Sequence, residues 1–476
     1  MMRLFALGLC LLLAACSQPD HSNNIRFALA QAPLNLDPRY ASDAASERIN
    51  RLIYQPLVDF DEHSRPIGDL ADWQVLGPTH YRFTLKPGRA PFHNGKPVTA
   101  ADVAATYQSL LAVRNSPHTA EFSNVSNIAA VDENTVDFTL KAPDEEFPAR
   151  LILGILPADL ISRNHDFAHD PIGSGPLRFV SWDSVVRLQR LSDKQEFVLT
   201  EVRDPTVRVL KLLRGEADLI QGDLPPELVR YLQKQSGVNV KFSPGTNFSY
   251  LGFNMQDPQL RNALVRQAVA HAINREAVIR YALIEGSREA ETILPPEHWA
   301  GNPDLTGYEY NPKLARSLLQ QAGVKLPLKL VYKTSTDAQR VRLATILQAQ
   351  MRPAGIELEI LSLDWGTFFD DVKHGKFQLY GLTWVGIKTP EIYRLAFGST
   401  SVPPAGANRG QFSDSRVDAM IDKADWQGVT SRVHKLLPYV PLWYEGQFAA
   451  MRKGLTGYAP QPDGKWDDLA TIKRSQ

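Results

Sequence analysis

Between Leu328 and Leu382 the chain alternates strand-like and helix-like segments, and this order constrains its fold more than any other feature. Leu328 to Tyr332 reads as a strand and Asp337 to Met351 as a helix. Ile356 to Leu361 reads as a second strand, Trp365 to Val372 as a second helix ending at Gly375, and Phe377 to Leu382 as a third strand. Strands alternating with helices form βαβ crossovers, so the spacing predicts an α/β chain with a mostly parallel sheet. Local chemistry marks further elements. Ile25 to Leu29 alternates like a strand, and Ile49, Leu52, Ile53 and Leu57 share one helical face. Tyr81 to Leu85 alternates again, with Asn94-Gly95 as a hairpin-type turn pair. Thr99, with Asp102 three residues on, is a capping-box variant opening a helix whose apolar stripe is Val103, Tyr107, Leu110 and Leu111. Leu264 to Ile273 and Asn311 to Ala322, the latter closed by Gly323, are two more helices.

The amino terminus says where such a chain works. Arg3, an apolar run from Leu4 to Leu13 and small residues before Cys16 have the layout of a secretory signal. The run is shorter than the roughly 20 residues a spanning helix needs. Leu13-Ala14-Ala15-Cys16 resembles a bacterial lipoprotein processing site, which implies cleavage before Cys16 and lipidation of its sulfur. Several acyl chains on one residue anchor stably, whereas one chain is marginal. Residues 1–15 are then signal and 16–24 a polar tether. The remaining chain from Cys16 has 461 residues (476 less 15), enough for about three domains of roughly 150 residues. Cys10 and Cys16 are the only cysteines, so no internal disulfide is available after cleavage. Lys+Arg and Asp+Glu balance at 52 each, and no field argues for a nucleic-acid partner.

Catalytic signatures are absent: no His-Glu-x-x-His, P-loop, Gly-x-Gly-x-x-Gly or Gly-x-Ser-x-Gly occurs. Gly173-Ser174-Gly175-Pro176 reads as a turn entering a strand at Leu177. His165 and His169 are the only close histidine pair, but their neighbours read as loop, so no metal site and no cofactor are expected. The pairs Glu145-Glu146, Asp370-Asp371 and Asp467-Asp468 read as solvated faces. Trp365 and Trp384 each follow a strand, where open α/β sheets bind ligands. Core or interface packing is the alternative for each tryptophan.

In order along the chain, several motifs resemble the extracytoplasmic solute-binding proteins of the oligopeptide/dipeptide/nickel family that serve ABC importers. Leu36-Asp37-Pro38, Ile53-Tyr54-Gln55-Pro56-Leu57 and Leu70-Ala71-Asp72-Trp73 open the series. Phe83-Thr84-Leu85-Lys86 through Phe92-His93-Asn94-Gly95-Lys96-Pro97-Val98-Thr99-Ala100-Ala101-Asp102-Val103 is the most specific stretch. Gly173 to Pro176, Gly215 to Leu219, Phe253-Asn254, Val265 to Ala268, Ile273 to Arg275 and Tyr439 to Trp443 complete it. The resemblance implies a type II periplasmic-binding-protein fold, two lobes around a ligand cleft plus an extra domain. Residues 25–45, 172–255 and 435–476 would form lobe I, 46–171 the extra domain and 256–434 lobe II. It implies no enzyme but a monomeric receptor that closes on its ligand and presents the closed form to a permease.

One departure bears on the ligand. Peptide-binding members often carry a tryptophan followed three residues later by an aspartate that pairs with the ligand's α-ammonium. Here Ile387 stands three after Trp384, and Lys388 follows. An α-ammonium buried without its carboxylate loses about 3–5 kcal/mol, two or more decades in affinity. Glu391 is the alternative partner if the loop folds differently. The reading is a ligand without a tightly held ammonium, or one gripped through its backbone as an added strand near Ser42, Asp43, Ala44 and Val385. Trp365 and Trp384 would wall its apolar parts, and Lys388 and Arg409 would balance an anionic group or stay solvated. A solute-sensing lipoprotein uncoupled from transport and a binder of metal chelates or oligosaccharides remain competing readings. Ser17, in place of an inner-membrane-retention aspartate, favours outer-membrane sorting.

Overall fold

A computed structural model describes residues 23–113, 116–404 and 406–475. The signal run, Cys16 and nearly all of the tether lie outside them. The centre of the molecule is one 11-stranded mixed sheet. Its spine is two long antiparallel strands, Val238–Phe253 and Tyr439–Arg452. On one side follow Leu219–Gln221, Ile25–Leu29, Glu196–Glu201, Val186–Arg190 and Leu177–Trp182; on the other, Leu379–Trp384, Leu328–Ser335 and Ile356–Leu363; the eleventh, Arg288–Glu289, pairs with Tyr439–Arg452 off this path.

The three strands of the alternating segment are indeed parallel, with Leu328 to Ser335 in register with Ile356 to Leu363 and Tyr332 beside Leu379. The sheet as a whole is not mostly parallel, which corrects the expectation from spacing. Antiparallel pairs separate that block from the parallel pairs that Ile25–Leu29 makes with its neighbours. The cause is the spine: two strands crossing the molecule in opposite directions cannot extend a parallel ladder. Asp337 and Asp364 cap the helices Ala338–Met351 and Trp365–Lys373 by accepting the backbone N–H of Arg340 and Thr367. Both helices therefore start at the carboxyl ends of parallel strands.

The apolar residues collect in separate cores. One half of the spine (Phe248, Tyr250, Leu251, Val440, Leu442) packs with Val265, Leu330, Leu347 and Phe368. The other half packs differently: Ala449 and Met451 join Ile25, Phe27, Leu199 and Trp466, and Phe448 and Ala450 join Val209 and Leu232. The spine changes register between Ser243 and Asn247, where Pro244-Gly245-Thr246 interrupts it. A β-carbon on Gly245 would collide with the Glu445 carbonyl oxygen, and one on Gly446 would press on the backbone of Glu285 to Ser287. The two spine strands thus cross between the cores, and the turn from Glu285 to Ser287 presses on them in tight backbone contact.

A third core, from Leu57 to Ile155, lies under a four-stranded antiparallel sheet of Ala71–Gly77, His80–Leu85, Thr135–Leu140 and Val125–Ala130. The helix Ala100–Ala112 packs on it and carries the capping box of Thr99 and Asp102. Asn94-Gly95 does form a turn, with Gly95 at φ +86°, but it joins Phe92 to Lys96 and no strand leaves it. The apolar stripe of Ala44–Ile53 packs with Phe27 and Leu199 instead of this third core.

Candidate functional site

The carboxyl ends of Leu328–Ser335, Ile356–Leu363 and Leu379–Trp384 face the junction between the two spine cores. A cavity of about 300 Å³ lies there, within the size of small-ligand sites. Arg48, Gln221 and Asp223 line it from one lobe, Gln339 and Arg340 from the other, and Asn247 and Glu445 from the crossing strands. Arg340 sits 3.3 Å from the Glu445 carboxylate and donates to the Thr383 hydroxyl at 2.9 Å. Glu445 also accepts from Ser249 at 2.6 Å. This wall is a closed polar network of strand residues and a helix arginine. Arg48 lies over the Trp466 ring at 5.4 Å, and among the described residues no carboxylate pairs with it.

Side chains alternate across a strand, so Thr383 faces that cavity while Trp384 faces the opposite side of the sheet. There Trp384 stacks on Tyr250, which stacks on Tyr439 at 4.0 Å. The Arg409 guanidinium lies 4.9 Å from the centre of the Trp384 ring and 5.5 Å from that of Phe369. Phe369 in turn stacks on Trp365 at 5.4 Å and 10°. Trp365, which is 59 % exposed, ends the row at the surface. The structure therefore brings Trp365, Trp384 and Arg409 into one continuous stack. Phe369 is the link that sequence reading overlooked, although its position four residues after Trp365 on a helix carries the signal.

The loop after Trp384 is held from both sides. Val385 is exposed, and Ile387 packs against the lobe that carries the parallel block. The Gly386 N–H approaches the Asn247 side-chain oxygen at 3.4 Å. His298 accepts the Ala300 N–H at Nδ1, so its Nε2–H is the donor to the Lys388 carbonyl at 2.9 Å. Burial pushes the His298 pKa down, as suits a neutral ring with both nitrogens engaged. The Lys388 ammonium reaches Asp463, beside Trp466 in the other lobe, at 2.5 Å. Burial raises the Asp463 carboxyl, but Lys388 and Lys465 outweigh it and hold the group below the usual carboxylate range. Burial also draws the Lys388 pKa down, against the pull of Asp463.

Other candidates occupy structural roles. Asp43 caps the helix Ala44–Ile53, accepting the Ser46 N–H at 2.9 Å; Ser42 and Ala44 flank it, exposed. Glu391 pairs with Arg394 of its own helix at 3.2 Å. His169 approaches Asp166 and His165 the Asp170 carbonyl, and among the described residues no group of three or more ligating side chains could hold a metal. Asp371 and Asp467, read from sequence as solvated, pair with Lys333 and Arg51.

The sequence profile of bacterial extracellular solute-binding proteins, family 5 (middle), matches residues 66–402. The chain belongs to this family. As a family 5 solute-binding protein it binds a solute and is not an enzyme. The dipeptide-binding protein of Escherichia coli K12 is 24 % identical over 525 aligned residues, covering 96 % of each chain. Heme-binding protein A of Haemophilus influenzae is 24 % identical and covers 95 % of each. Among solved structures, the ABC transporter substrate-binding protein CtaP of Listeria monocytogenes superposes with a TM-score of 0.85 at 23 % identity, covering 95 % of this chain and 99 % of its own. The type II two-lobed architecture of this family 5 protein is thus shared with solved relatives. Among the described residues no helix is long and apolar enough to cross a membrane.

Proposed function

We propose that this chain is the lipid-anchored receptor of an ABC importer, tethered through Cys16, that captures peptide-like solutes lacking a tightly held ammonium. It works as a monomer, with lobe I from residues 25–45, 172–255 and 435–476, lobe II from 256–434 and the extra domain from 46–171, whose first helix, Ala44–Ile53, packs on lobe I. Closure about the two crossing spine strands encloses the solute, and the permease receives the closed form. The relatives bind ligands as different as a dipeptide and heme by name, so the ligand class must come from this chain's own residues.

The observation that carries the reading is the charge pattern around Trp384. Ile387 offers no carboxylate, Glu445 is engaged by Arg340, Asp463 by Lys388 and Glu391 by Arg394. An ammonium beside Trp384 would have to break one of these pairs, whereas Asp223, on the cavity wall across the sheet, has no ion pair among the described residues. The exposed loop at Val385 and the surface ring of Trp365 suit a backbone-held chain with apolar side groups. Calorimetry with matched free-amine and N-acetylated tripeptides tests this. The acetylated forms are expected to bind at least as tightly. Binding restricted to free amines, and abolished by Glu391→Gln, would overturn it.

A further inference from the structure

We propose that the end of lobe I from which the tether leaves is a membrane-facing surface that binds anionic lipid headgroups. This rests on the reading of a chain anchored at Cys16 and goes beyond it. The Gln195 side chain donates to the Asn23 carbonyl at 2.7 Å, and Arg474 donates to that of Asn24 at 2.6 Å. Residues 16–22 separate this point from the anchor, so even fully extended they span about 25 Å. They include Asp20 and no lysine or arginine. Attraction to an anionic bilayer must therefore come from the folded chain.

Cations gather where the tether ends. Arg26, Arg474 and Arg452 share one carboxylate, that of Asp218, at 2.9, 2.9 and 3.9 Å. The Asp218 side chain is fully buried, whereas those of Arg452 and Arg474 are 45 % and 31 % exposed. The group thus shows solvent an excess of positive charge. Lys473 precedes Arg474, Lys453 follows Arg452, and the Ser475 N–H donates to the Gly454 carbonyl, which brings the two lysines together. Lys194 stands beside Gln195. All three lysines are exposed, and among the described residues no ion pair engages them. Of the acids nearby, Asp193 pairs with Arg190 and Glu216 with Lys211, which leaves Glu196. Over the whole chain Lys+Arg and Asp+Glu are equal at 52, so acid elsewhere balances this local excess. An anionic surface then orients the molecule as well as attracting it. Such an orientation keeps the cavity off the bilayer: Glu445 in its wall precedes Arg452 by seven positions on one strand, about 23 Å. The anchor supplies attachment, and the patch supplies direction.

The test is flotation of the mature chain carrying Cys16→Ser, which has no acyl group, with vesicles of phosphatidylcholine alone or mixed with phosphatidylglycerol. Retention is expected only on the anionic vesicles at about 0.1 M salt. It is lost at about 1 M, where the screening length falls from ~10 Å to ~3 Å. Lys453→Gln with Lys473→Gln should weaken partition about tenfold or more, since each cation at an anionic surface counts about fivefold. Lys313→Gln with Lys325→Gln, exposed lysines of lobe II, should change it by less than about twofold. No retention on anionic vesicles would overturn the proposal, and so would equal retention on neutral ones, which is apolar contact. Equal losses in the two double variants would overturn it as well, because net charge alone then sets the binding. The anchor is read separately, from the mass of the amino-terminal peptide of the chain made in cells. An unmodified Cys16 there sinks the tether and leaves the vesicle result standing.

Discussion

Burial and the nearby Asp59 push the Asp69 carboxyl up to about 6, although Lys86 and Arg51 pull the other way. Its folded pKa therefore lies above the ordinary value of 3.8. Between those two values the folded chain holds a proton that the unfolded chain has released. Stability from this group is complete below about pH 4, falls as pH rises to about 6 and stays low above it. The shift is worth at most about 3 kcal/mol, and solvent screening of a half-buried group reduces it to about 1–2 kcal/mol. Asp69→Asn is expected to stabilise the protein by that amount at pH 7 and to change little at pH 4. Urea unfolding at both values checks this, and an Asn variant no more stable at pH 7 would refute it. At this scale the sequence was readable wherever chemistry is local. The cap read at Thr99 acts within three residues of itself, and the helices read as starting at Asn311 and Asp337 prove to be capped by those residues. Asp69 was not readable, because its neighbour Asp59 is supplied by the packing of the Val58–Phe60 hairpin and its cluster.

The crossing strands set what each element can tolerate. Gly446 lies where Tyr439–Arg452 passes the segment from Glu285 to Ser287, and the Ser287 hydroxyl accepts its N–H at 3.0 Å. An alanine β-carbon there would stand 2.6 Å from the Glu285 carbonyl oxygen, the Gly286 carbonyl carbon and the Ser287 nitrogen. All three are backbone atoms, so relief requires moving a whole segment. Gly446→Ala is expected to cost about 1–3 kcal/mol. Gly77→Ala, where a β-carbon meets nothing within 4 Å, should change stability by under about 0.5 kcal/mol. Equal unfolding midpoints for the two variants would contradict this. The parallel block from Leu328 to Trp384 was legible because its pairing partners are consecutive in the chain. The spine was not, since Val238–Phe253 pairs with a strand some 200 positions away and holds Pro244-Gly245, which locally signals a turn. The site divides the same way. Trp365 and Trp384 stood out as residues after strands, while Glu445, Asp463 and Arg340 gained their roles only through pairings across the fold.

Across the whole molecule, Lys388 and Asp463 form a bridge between two separately packed cores, with Arg342 and Glu227 3.2 Å apart as a second, more exposed one. The Asp463 side chain is 8 % exposed and the Lys388 side chain 23 %. Removing Asp463 leaves the Lys388 charge that the contact keeps from water, at a cost of about 3–5 kcal/mol if nothing moves. Removing Lys388 costs less, because Lys465 stays 3.5 Å from Asp463. Separation of the lobes offers a cheaper outcome, because the remaining charge then regains solvent. Asp463→Asn and Lys388→Met are therefore both expected to increase the ligand-free radius of gyration measured by X-ray scattering. If the closed population falls to a tenth or a hundredth, apparent affinity weakens by about tenfold to hundredfold through that fraction alone. Protonation of Asp463 should act like the Asn variant. Its carboxyl is held below the usual range, so the bridge persists above about pH 4 and is lost as pH falls further through the depressed value. Scattering from the wild-type chain is expected to be constant from pH 7 to 5 and to expand only at lower pH, whereas Asp463→Asn should be expanded throughout. A variant as compact as the wild type, with unchanged ligand affinity, would show that the bridge decorates the closed form without holding it.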